Sequence, residues 1–130
     1  MRKVLVPLGW QVPVDELISA LVELGEDIQV TLLHVVSIPM TAPLEVEVEP
    51  PEWMVKLAEE LKSRGYEVEV KVIEARGVVE GIVEEAEENK YDLILMFRRK
   101  RRWFPKIRPG ISGRVMSLSK RPVVTVKLRG

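Results

Sequence analysis

The chain has 130 residues, 46% apolar and 31% charged, a size and balance that suit one globular domain and exclude a disordered polymer. It holds no cysteine, which excludes disulfides, thiolate metal sites and a cysteine nucleophile, and its one histidine cannot build a histidine metal cluster. The net charge of zero conceals a division: residues 1–97 carry 8 basic side chains and all 20 acidic ones, whereas residues 98–130 carry 12 basic side chains and no acid.

In chain order, the first predicted element is a strand at Lys3–Pro7. The apolar part of this opening is too short for a secretory signal, and no apolar run approaches the roughly 18 residues of a membrane span. A cytoplasmic chain without a transmembrane segment is therefore expected. Val14, Leu17, Ile18 and Leu21 then repeat at helical spacing, with Gly25 as the stop. The second strand is predicted at Ile28–Val36. Ser37–Pro51 follows, with Pro39, Pro43, Pro50 and Pro51 around an alternating Leu44–Glu49. A solvated, extended loop is the plain expectation there, and a short extra strand pairing with another subunit is the alternative. A second helix, carried by Met54, Leu57, Ala58 and Leu61, starts after Pro50-Pro51 and stops at Gly65; Trp53 at its start is expected in the core or an interface.

The third strand, Glu67–Ile73, alternates Glu67, Glu69 and Lys71 with Val68, Val70 and Val72, the pattern of a sheet edge with one face toward water. The third helix buries Val79, Ile82, Val83 and Ala86 and is expected to turn Glu80, Glu84, Glu85, Glu87 and Glu88 largely outward, where they solubilise. Leu93–Phe97 forms a fourth strand, Ile111, Val115 and Leu118 mark a short fourth helix, and Pro122–Lys127 ends the series. Near-continuous Val, Ile and Leu runs alternating with helices predict a single α/β domain over residues 1–130, an open, doubly wound parallel sheet covered on both faces. Few Asn and Gln beside many Glu, Lys, Arg and Val suit a thermophile.

Four segments carry a family resemblance. Lys3-Val4-Leu5-Val6-Pro7, Leu32-Leu33-His34-Val35-Val36, Tyr91-Asp92-Leu93-Ile94-Leu95-Met96 and Arg121-Pro122-Val123-Val124-Thr125-Val126 resemble the universal stress protein family, in the family's order and spacing. The resemblance implies an adenine nucleotide alpha hydrolase-like fold, with five parallel strands in the order 3-2-1-4-5 and four helices. It also implies a homodimer joined through the last strand, so Val123, Val124 and Val126 are candidate interface residues. One branch of the family binds ATP and the other does not. The ATP branch has an Asp just after the first strand and a G-x-x-G-x9-G-(S/T) pattern after the fourth. Here Leu8-Gly9-Trp10 follow the first strand, Phe97-Arg98-Arg99-Lys100-Arg101-Arg102-Trp103 follow Met96, and the final glycine pair falls on Pro109-Gly110.

Glycines let backbone N–H groups cradle phosphate oxygens, and arginine side chains block that approach. Arginine holds anions instead through charge-assisted bonds from its own fork. The nucleotide-binding motif is thus degenerate, and a regulatory or binding module that does not take ATP in the family's usual mode is expected. Ligands of open α/β sheets sit beyond the carboxyl ends of the strands where strand order reverses, here between strands 1 and 4. The candidate anion cleft therefore comprises Leu8, Gly9, Trp10, Val35, Arg98, Arg99, Arg101 and Arg102, with Gly110 and Ser112 at the start of the last helix.

For the basic run, the plain expectation is a solvated loop paired with Glu45, Glu47, Glu49 or the third helix. The alternatives are a nucleotide or other phosphate-bearing small molecule, nucleic acid held by basic side chains beside Trp103 and Phe104, or an anionic membrane or protein partner. His34, between Leu33 and Val35, is expected to be a packed core histidine. No nucleophile–base pair or metal cluster is legible, so no ordinary hydrolytic enzyme, catalytic residue, metal or cofactor is expected; weak nucleotide hydrolysis is the alternative where the arginines hold a nucleotide.

Overall fold

The computed structural model describes residues 1–38, 48–99 and 111–129, apart from the side chain of Ser112. The elements follow as β1 (Arg2–Pro7), α1 (Val14–Leu24), β2 (Ile28–Ser37), α2 (Glu52–Ser63), β3 (Glu67–Ala75), α3 (Val78–Glu88), β4 (Leu93–Arg98), α4 (Ile111–Leu118) and β5 (Val123–Lys127). All strand pairs are parallel, in the order β3-β2-β1-β4-β5, as the family resemblance implies. Most of the proline-rich segment lies outside the described residues, and its end, Val48–Pro50, has no strand.

The central strands explain the two-sided burial. On β1, Val4 and Val6 enter one core with Leu17 and Leu21 of α1 and Met54 and Leu61 of α2. Leu5, between them, enters a second core with Val79 and Ile82 of α3 and Val115 of α4. A strand whose successive side chains alternate faces must be apolar on both when helices cover both. Val4, Leu5 and Val6 are accordingly fully buried. At the edge, β3 keeps Glu67 and Glu69 exposed, as expected.

Two glycines have positional reasons. Gly65, just beyond α2, has φ +93°, a left-handed conformation that favours glycine in a sharp helix-to-strand turn. Gly81 lets α3 approach the sheet: a Cβ there would lie 2.8 Å from Val35 Cγ1 and 3.0 Å from Ala75 Cβ.

The cores correct two sequence expectations. Glu85 is buried, because position 85 follows Ile82 by three residues and shares its inward face. In α4, Val115 alone of the expected repeat is buried, while Ile111 and Leu118 are exposed. Eight residues give that helix about two turns, so it presents one inward position rather than a continuous stripe. No described helix is long and apolar enough to cross a membrane.

Candidate functional site

At the carboxyl ends of β1 and β4, the strand order reverses and leaves a cleft of about 320 Å³. One wall continues β1. The Leu8 N–H donates to the Leu33 carbonyl at 2.8 Å, and the Leu8 carbonyl accepts from His34 Nδ1 at 2.8 Å. A carbonyl only accepts, so Nδ1 carries the proton. The His34 ring meets Trp53 edge-on, with centroids 6.2 Å apart. His34 is thus half-buried and tethers the turn after β1, a role that its apolar neighbours in the sequence did not disclose.

The opposite wall is the end of β4. Arg98 is held by the sheet, where its carbonyl accepts from the Leu128 N–H at 2.8 Å and it pairs in register with Lys127. Arg99 reaches back across the cleft, its guanidinium carbon 4.2 Å from the centroid of Trp10. Such a stacked guanidinium gains roughly 0.5–1 kcal/mol at an exposed site. Leu33 and Val35 of β2, Ile82 of α3 and Met96 of β4 close the cleft below with apolar surface.

Of the residues named from sequence, Leu8, Gly9, Trp10, Val35, Arg98 and Arg99 line this one cleft. Arg101, Arg102 and Gly110 lie outside the described residues, as does the side chain of Ser112. Sequence reasoning missed Leu33, Val78, Ile82, Met96 and Ile111, whose ordinary core-like pattern does not tell a cleft wall from a packed interior. A Cβ at Gly9 would meet nothing within 4 Å, so close packing is not what places a glycine there. The described lining contains no carboxylate, hydroxyl or imidazole, and no group of His, Cys, Asp and Glu among the described residues could hold a metal.

A second polar cluster lies under α3. Lys71 Nζ donates to Glu85 Oε2 at 2.8 Å, and the Tyr91 hydroxyl donates to the same oxygen at 3.1 Å. The bond to Glu85 raises the pKa of the Lys71 ammonium, against the opposing effect of desolvation. Burial raises that of the Tyr91 phenol, while its hydrogen bond with Thr31 acts the other way. These groups satisfy one another within the fold.

The universal stress protein family model matches residues 1–127. The chain belongs to this family. Its fold is similar to that of a universal stress protein from Archaeoglobus fulgidus, with a TM-score of 0.71, 17% identity, and coverage of 98% of this chain and 94% of that one. The structure of the universal stress protein from Archaeoglobus fulgidus in complex with dAMP matches at 0.64 and 15% identity, covering 98% of each chain. A universal stress protein family protein from Arabidopsis thaliana with AMP bound matches at 0.63 and 14% identity, covering 100% of this chain and 94% of that one. No curated protein matches the sequence. The sheet order and helices are those of the adenine nucleotide alpha hydrolase-like fold.

Proposed function

We propose that this universal stress protein is a cytoplasmic regulatory module that binds a small anion in the cleft between β1 and β4. Arginine side chains hold the anion in place of a glycine-rich backbone cradle. The observation that carries this reading is the pairing of Arg98 and Arg99 with an apolar cleft whose described lining contains no acid. Neither guanidinium has a carboxylate within 4.0 Å among the described residues. That structural neighbours are described with dAMP and AMP bound supports a small anionic ligand.

The module is proposed to work as a homodimer. Among the described residues β5 pairs only with β4, at the end of the sheet, and Val124 on it is exposed. Val123 and Val126 pack against the domain's own two cores. The role is binding and not catalysis.

Native mass spectrometry of the purified chain, compared with an Arg98→Ala/Arg99→Ala variant, tests the ligand reading. A bound anionic molecule on the parent chain and its loss from the variant is the expected result. Stoichiometric ATP carried equally by both proteins would overturn it.

A further inference from the structure

We infer that the ligand is an anionic amphiphile, with a slender apolar body and a phosphate or carboxylate at one end. This rests on the reading that the cleft binds a small anion, and it names the chemistry of the remainder. Along the described lining, only Trp10, Arg98 and Arg99 bring side-chain hydrogen-bond donors, and the one side-chain acceptor is the weak thioether of Met96. The backbone carbonyls of Leu8, Leu33 and Arg98 already accept bonds within the protein. A sugar hydroxyl or an amino-substituted base would bring several donors to a described lining whose side chains offer them almost no acceptor, and buried unpaired donors are costly. An alkyl chain makes no such demand.

Size and polarity agree with this chemistry. At roughly 30 Å³ per water-sized group, the cleft's volume of about 320 Å³ accommodates on the order of ten such groups. That is an alkyl chain of about eight to ten carbons by the same measure. The chain would lie along Leu33, Val35, Ile82 and Met96, and the head would meet Arg98 and Arg99 at the rim. Arg99 rests on Trp10, so its guanidinium is held at the entrance, where a planar fork can pair with a phosphate or carboxylate.

Calorimetric titration of the intact chain with butyl phosphate, octyl phosphate, octanoate and AMP tests the inference. At full burial each methylene is worth about fourfold in affinity, so octyl phosphate is expected to bind at least roughly tenfold tighter than butyl phosphate. AMP is expected to bind weaker than octyl phosphate, and Arg98→Ala/Arg99→Ala to lose most of the octyl phosphate affinity. AMP binding as tightly as octyl phosphate, and dependent on the arginines, would overturn the amphiphile while leaving the anion reading intact. Absence of binding by every probe, or binding indifferent to the arginine variant, would remove both. Equal affinity for octyltrimethylammonium would mark detergent-like adsorption and overturn the inference. So would binding to phosphatidylcholine vesicles carrying phosphatidic acid without binding of octyl phosphate, because it would assign the anion to a membrane surface and not to the cleft.

Discussion

Two regions of this molecule place charged side chains against the same apolar layer, to opposite effect. Under α3, Glu85, Lys71 and Tyr91 satisfy one another at 2.8 and 3.1 Å. At the cleft, Arg98 and Arg99 stand over apolar surface with no carboxylate within reach among the described residues, and Arg99 rests on an indole. Charge whose partners lie within the fold contributes to stability. Charge set at the rim of an apolar cleft suits the recognition of an anion.

This contrast can be broken by substitution. Glu85→Ala has the largest expected effect, a stability loss of about 2–3 kcal/mol, below the ~3–5 typical of a fully buried pair because Lys71 is partly exposed. Urea unfolding measures it, and a loss under about 0.5 kcal/mol, the ordinary range for surface changes, would refute the structural role. Arg98→Ala should leave stability within about 0.5 kcal/mol of the parent, and Arg99→Ala, which loses the Trp10 stack, within about 1 kcal/mol, while each lowers affinity for the bound anion about tenfold, as expected for a bond to a charged group. Equal losses of stability in the two regions would erase the distinction.

Smaller effects sharpen the comparison through pH. Lys71 and Tyr91 titrate above their ordinary values of 10.5 and 10.0, so the folded state holds their protons more tightly than the unfolded chain. Their contribution is present below those values and is lost as pH rises through the raised ones. Unfolding midpoints measured across this alkaline range should fall, and the fall should be shallower in Glu85→Gln; an identical slope would reject the coupling. The smallest effect belongs to Glu87, which links α3 to the turn before β5. The Lys120 N–H at 2.7 Å holds its carboxyl below the ordinary value of 4.5, with help from the Ser119 hydroxyl, while burial opposes the shift. This contribution is present above 4.5 and is lost as pH falls through the lowered value. Glu87→Gln should therefore flatten the acid limb of the stability profile, and an unchanged limb would place the proton linkage elsewhere.

The sequence alone determined the order of elements, the edge position of β3 and the proximity of the first and fourth strand ends to one site. Each follows from information carried along the chain: apolar period, chain-breaking residues and a family-like succession of strands. It did not show that Glu85 turns inward to Lys71, that His34 holds Leu8, or that Arg99 crosses to Trp10. Those partners are separated by 14, 26 and 89 positions, and only the sheet register and the tight seat of Gly81 against Val35 bring their elements together. Periodicity states which face of an element is apolar, but a partner on another element is chosen by packing. The basic run after β4 was therefore legible as charge at the mouth of the cleft, and only the tertiary structure showed Arg99 stacked on Trp10.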